Sequence, residues 1–147
     1  MKRTDAKDPD FLSLVQELDA DLALKDGDDH VFYAKLNVVD DIRQAIVAYD
    51  GNQPIACGAL RDYEKGVVEV KRMYTVPEQR GKGIAFKVLE ELESWAHELG
   101  YDRLILETGK RQPAAIALYL KAGYVITANY GKYVGIDNSV CFSKNVS

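Results

Sequence analysis

Between residues 9 and 25, Leu12, Val15, Leu18 and Leu22 fall at three- and four-residue steps behind Asp8-Pro9. That spacing predicts an amphipathic helix capped by an aspartate and ending near Gly27. Residues 30–43 follow neither a helical nor a strand period and read as a second short helix or as a strand and turn. From residue 44 the pattern shortens: two apolar runs, 45–49 and 54–60, flank Asp50-Gly51-Asn52, the signature of a hairpin. A turn at Glu64-Lys65-Gly66 leads into a third run over 67–76, which completes an antiparallel meander. Past Gly83, Ile84, Val88, Leu92, Trp95 and Leu99 recur at helical spacing, and Gly100 stands where a left-handed cap ends a helix. A strand over 103–108, a helix opened by Pro113 and closed near Gly123, and β runs over 124–130 and 139–143 follow. The order is α, β-β-β, α, β, α, β-β, an α/β (α+β) pattern.

Composition narrows the class. A chain of 147 residues fits one domain, 1–147, with no internal repeat or linker. Hydrophobic residues make up 47% and charged residues 29%, the balance of a soluble globule, and no apolar run approaches the ~20 residues of a membrane span. The opening Met1-Lys2-Arg3-Thr4-Asp5 does not lead into the apolar core of a secretory signal, so the cytoplasm is the expected compartment and no membrane partner is expected. Cys57 and Cys141 each sit inside an apolar run and read as buried small hydrophobes. His30 and His97 have no metal-ligand spacing, so no metal is expected. A net charge of −4 argues against nucleic acid as partner.

The segment that carries chemistry is Val76-Pro77-Glu78-Gln79-Arg80-Gly81-Lys82-Gly83-Ile84-Ala85, where a strand meets a helix through a loop with two glycines and two cations. Such a layout binds anions. Glycine lets the backbone approach a ligand, and the unpaired amides and positive dipole end of the first helical turn point at it. The spacing is neither that of a nucleotide P-loop nor the dinucleotide G-x-G-x-x-G pattern. Arg80-x-x-Gly83-x-Ala85 after a strand resembles the Q/R-x-x-G-x-G/A coenzyme loop of the GCN5-related N-acetyltransferases, and Leu118-Tyr119 with Gly123-Tyr124 resembles that family's LY-x-x-x-GY/F run. The likeness covers about residues 44–145. At the N-terminal end the chain departs from it, with a helix from Pro9 in place of the usual short first strand.

The resemblance implies a single-domain fold, a mixed and mostly antiparallel sheet of about six or seven strands flanked by about four helices. It also implies acetyl-CoA as co-substrate, lying between the strands 67–76 and 103–108. Its pantetheine arm would pair with Met73, Tyr74 and Val76, and its diphosphate would rest on the amides of Arg80, Gly81, Lys82, Gly83, Ile84 and Ala85. The activity implied is acetyl transfer to a primary amine: that of a small molecule such as an amino acid, amino sugar or polyamine, or alternatively that of a protein lysine or N-terminus. A non-catalytic acyl-CoA-binding module is the reading from another class.

Amide formation from a thioester needs a base, because an alkylammonium near pKa ~10.4 must lose a proton, and an acid, because the thiolate must gain one. Direct attack by the amine needs no enzyme nucleophile. By resemblance Tyr119 faces the coenzyme sulfur, and its phenol is the candidate acid. Glu69, a carboxylate in a strand expected to be covered on both faces, is the candidate base; the histone acetyltransferase branch carries its base at a matching distance from the loop. A structural pair with Lys71 or Arg72 is the other reading of Glu69. Glu107, at the end of the next strand, is the alternative base or an anchor for the substrate ammonium. Arg72, a cation expected in a central strand, either holds a substrate carboxylate or pairs with Glu69 or Glu107. Tyr33, Asn37, Asn129, Tyr130 and Tyr133 are candidates for the wall of the acceptor pocket. The open edges of such a sheet favour a homodimer.

Overall fold

The computed structural model describes residues 1–26 and 42–146. In chain order these form strand β1 (Lys2–Thr4), helix α1 (Pro9–Asp26), the meander β2 (Ile42–Asp50), β3 (Gln53–Glu64) and β4 (Val67–Thr75), helix α2 (Ile84–Glu98), strand β5 (Arg103–Gly109), helix α3 (Pro113–Lys121), and strands β6 (Val125–Thr127) and β7 (Ser139–Asn145). Two single 3-10 turns, Pro77–Gln79 and Gly131–Tyr133, lie in connections. The seven strands make one sheet in the order β1-β2-β3-β4-β5-β7-β6. Every pairing is antiparallel except β4 with β5. That parallel pair needs a crossover connection, which α2 supplies.

Local signals explain most of the elements. Asp8 caps α1, its carboxylate accepting from the amides of Asp10 at 2.9 Å and Phe11 at 3.2 Å. The buried stripe of α1 is Phe11, Leu14, Val15 and Leu18, while Leu12, expected to point inward, is 39% exposed. On α2 the buried positions are Val88, Leu89, Leu92 and Ala96, and Leu99 faces solvent. Gly51 and Gly100 take positive φ, in the hairpin turn and just beyond α2.

Three expectations change. The short first strand is present: β1 pairs with β2 ahead of α1, and Arg3 reaches Glu91 and Glu98 of α2 while lying over Trp95, so β1 and α1 coexist. Among the described residues there are three α-helices, not about four; the expected fourth falls on residues 30–43, nearly all of which lie outside the described residues. The run 124–130 shortens to β6 because Asn129 turns its side-chain amide onto the carbonyls of Tyr133 and Ile136, a local bond that competes with the strand ladder.

Side-chain alternation sorts the sheet into two faces. Ile46, Leu60, Val68, Val70, Leu104, Leu106 and Phe142 form one core with α2 and α3. Ala45, Val47, Cys57, Ala59 and Tyr74 form a second core beneath α1. Cys57 and Cys141 are free and buried. No described helix is long and apolar enough to cross a membrane.

The register of β3 against β4 breaks once near the middle, between Cys57↔Tyr74 and Ala59↔Lys71, so Arg72 and Met73 together oppose Gly58. This is a β-bulge, with Arg72 at φ 59. A Cβ at residue 58 would stand 2.6 Å from Met73 Sδ, 2.9 Å from Leu92 Cδ1 and 3.0 Å from Val88 Cγ1, so glycine is what lets the bulge close on α2. Gly58→Val is expected to lower unfolding stability by about 1–3 kcal/mol or more through overpacking, read by denaturant melts of the variant against the parent.

Candidate active site

The parallel pairing of β4 with β5 covers three positions, Val67↔Arg103, Val68↔Leu104 and Glu69↔Ile105. Past Glu69 the bulge bends β4 away, and a cleft of about 510 Å³ opens between the two strands. Its walls come from β4 (residues 69–75), the end of β5 with Glu107, the loop with Gly81 and Gly83, α3 with Leu118 and Tyr119, and Leu18 and Leu22 of α1.

One end is the glycine loop. Gly81 and Gly83 have φ of 79° and 80°, and Gly83 is the N-cap of α2. A Cβ at either would meet nothing within 4 Å, so the glycines serve conformation and an open approach and not close packing. The first helical amide with a partner inside the helix belongs to Lys87, bonded to the Gly83 carbonyl, and the amides of the turn before it have no intrahelical acceptor. Arg80 is exposed, donates to the Thr75 carbonyl at 2.9 Å, and lies over the Tyr74 ring with Asp21 3.6 Å away. Met73, Tyr74, Arg80, Gly81, Gly83, Ile84 and Ala85 all line the cleft. Val76 and Lys82 do not: the Val76 amide donates to the Ile55 carbonyl, and exposed Lys82 bonds Gln79. The cleft, its glycine entrance and the helix terminus behind it fit a long coenzyme with a diphosphate.

The other end is polar. Glu69 and Lys71 alternate with Val68 and Val70, so both stand on the face that carries α1. Both are buried, at 4% and 6% exposure. Tyr130 donates to Glu69 Oε2 at 2.5 Å, so the acceptor-wall tyrosine meets the candidate base although it does not itself line the cleft. Burial, with Glu69 next to it, holds the Tyr130 phenol protonated far above its ordinary range. Lys71 donates to the Tyr133 hydroxyl at 3.0 Å, and burial pulls its ammonium down to about 8 against the opposing pull of Glu69. Glu107 accepts from Ser139 Oγ at 2.6 Å.

Arg72 does not pair with Glu69 or Glu107, as the sequence allowed; its Nη1 donates to Asp19 of α1 at 2.8 Å. The reason is the bulge, which turns residue 72 toward the helix. Asp19 and Ser139 were not foreseen as site residues. Nothing in their local sequence marks them, since each acquires its role from a partner tens of residues away. Asn129 braces its own loop, and Tyr33 and Asn37 lie outside the described residues. His97 is exposed, with Nδ1 2.7 Å from the Val146 carbonyl.

Tyr119 reaches the cleft from the opposite face, in the core of α2 and α3, packed against Tyr124 and Phe142. Burial first, and Glu107 second, push its phenol well above the ordinary tyrosine range, so it is a neutral donor at neutral pH. The arrangement therefore sets a glycine loop at a helix N-terminus, a buried phenol and two carboxylates around one channel. Among the described residues no group of His, Cys, Asp or Glu is gathered to hold a metal ion.

The acetyltransferase (GNAT) family model matches residues 10–124. An IAA acetyltransferase of Azospirillum brasilense is 36% identical over 126 residues, covering 83% of this chain and 81% of that protein. A Klebsiella pneumoniae structure, described as a candidate acyl-CoA N-acyltransferase, superposes with a TM-score of 0.80 at 29% identity over 99% of this chain and 97% of that one. A GNAT-family acetyltransferase of Elizabethkingia anophelis, solved with acetyl-CoA bound, shares the fold with a TM-score of 0.65 at 18% identity, over 84% of this chain and 87% of that one. A coenzyme-sized cleft between parting strands, entered over a glycine loop, thus coincides with a family match across most of the chain, and the chain belongs to the acetyltransferase (GNAT) family as an acetyl-CoA-dependent N-acetyltransferase.

Proposed function

We propose that the acceptor is the primary amine of a small molecule, of amino acid, amino sugar or polyamine type, and that Glu69 and Tyr119 manage the two proton transfers. The observation that carries this reading is the depth of the polar end: Glu69 and Lys71 are nearly closed off from solvent beneath α1 and the loop of Tyr130 and Tyr133. A small ammonium can be desolvated there, whereas a residue on a folded protein surface reaches such a recess only as an extended side chain.

Acetyl-CoA supplies the acyl thioester. The backbone of Met73 and Tyr74 and the loop from Arg80 to Ala85 would hold it, with the diphosphate at the start of α2. Glu69 takes the ammonium proton, directly or through a water, and Tyr130 fixes the orientation of its carboxylate. Glu107 stands at the same end as the second carboxylate and the alternative base. Tyr119, on the other side of the channel, holds a proton where the thiol leaves; because burial keeps the phenol neutral, it arrives at the step protonated.

Four outcomes test this reading. Gly83→Val puts a β-branched side chain at φ 80, where such residues are strained, and should weaken CoA binding at least about tenfold by calorimetry; an unchanged Kd removes the loop from the coenzyme site. Tyr119→Phe should lower kcat by ~10²–10⁴ while leaving CoA affinity nearly intact. Glu69→Gln should lower kcat/KM for an accepted amine by ~10²–10⁴ and by more than Glu107→Gln does; the reverse order transfers the base to Glu107. If a broad panel of amines releases no CoA above background, the small-amine reading fails.

A further inference from the structure

Among the described residues four cations line the cleft: Lys71, Arg72, Arg80 and Lys121. Three of them are engaged, since Lys71 donates to Tyr133, Arg72 pairs with Asp19, and Arg80 lies 3.6 Å from Asp21. Lys121 differs. It is the last residue of α3 and is exposed, and no carboxylate of the described residues pairs with it. Its ammonium instead lies over the Phe86 ring, 5.8 Å from the centroid. Phe86 is the third residue of α2, half-buried against the core of α2 and α3, and it lines the cleft as well.

The dipole of α3 favours a lysine in its last turn wherever the side chain points, so the dipole alone does not aim Lys121 at the cleft. The contact with Phe86 does. An aromatic ring attracts an ammonium without neutralising it, so the full charge stays on the cleft wall. CoA carries negative charge in two places, the diphosphate and the 3′-phosphate of its ribose. With the diphosphate at the first amides of α2, the pantetheine arm runs inward to the polar end, where Glu69 and Lys71 are 4% and 6% exposed. The nucleotide therefore runs outward, to the open side where Lys121 meets solvent. The diphosphate already has the loop amides, the helix terminus and Arg80. Lys121 is left for the second phosphate.

We propose that Lys121, held over Phe86, receives the ribose 3′-phosphate of coenzyme A and makes the site prefer CoA to its dephospho form. This rests on the diphosphate lying at the start of α2, as above. The experiment is calorimetry of CoA and of dephospho-CoA with the purified protein, Lys121→Met and Lys121→Arg. The parent is expected to bind CoA about 3- to 10-fold more tightly than dephospho-CoA, a charge-assisted contact reduced by its exposure to solvent. Lys121→Met should bring that ratio to one by weakening CoA alone, and Lys121→Arg should keep most of it. Equal affinities in the parent, or a ratio that survives Lys121→Met, overturn the proposal. Equal weakening of both ligands in Lys121→Met overturns it too, and assigns the lysine to the diphosphate. In each of these cases the coenzyme reading of the cleft stands; binding of neither ligand to the parent overturns both.

Discussion

Strands β4 and β5 run side by side for three residue pairs and then part, and the cleft exists because of that parting. A sheet resists it, since each backbone amide and carbonyl that loses its ladder partner must find another. What forces the separation is one extra residue in β4, the pair Arg72 and Met73 set against Gly58. The bulge bends the strand and throws the Met73 side chain onto α2, where Gly58 leaves just enough room. The backbone freed by the split borders the channel and can be satisfied by a ligand with amides of its own. Coenzyme binding and strand irregularity are therefore two aspects of a single structural feature.

The split also separates two chemical environments. Alternation along β4 and β5 sends Val68, Val70, Leu104 and Leu106 into the core of α2 and α3, where Tyr119 is buried. It sends Glu69, Lys71 and Glu107 to the other face, with Tyr130 and Tyr133 above them. The first environment is apolar and holds a phenol neutral. The second is crowded with charge, and there burial lowers the Lys71 ammonium while Glu69 pulls it back up. The cleft between β4 and β5 opens onto both.

The part of this that the sequence made legible is the part governed by short-range rules. The meander, α2, α3 and the glycine loop each carry a periodicity or a turn residue within a few positions. Asp8 as a cap and Pro113 in the first turn of α3 need no tertiary knowledge. Tyr119 came from a helix position that the family pattern singles out, Glu69 from a strand expected to be covered on both faces with that pattern in support, and Glu107 from the end of the next strand; all three line one cleft. The partners were not legible. Arg72 was open between Glu69, Glu107 and a substrate, and a one-residue bulge decided for Asp19, 53 positions away. A bulge shifts register without leaving a compositional trace, so alternation counted along β4 fails at the one place where the site begins. Leu12 and Leu99 misled for a related reason: three- and four-residue steps can be drawn through either side of a stripe, and only packing chooses.

Helix α1 adds a last step. It is tied to the sheet at both ends of the cleft, by Asp19 on Arg72 and by Asp21 on Arg80, only two residues apart on the helix. The two ties differ in kind. Arg72, almost wholly buried, meets a 48% exposed Asp19 at 2.8 Å, whereas Arg80 is 40% exposed with its partner 3.6 Å away, a geometry worth little in water. The shorter tie lies at the polar end of the cleft, and the longer one at the glycine loop. Asp19 on Arg72 is therefore the firmer of the two attachments of α1. The bulged strand thus sets the geometry of the polar end, and its ion pair to α1 holds the helix beside it.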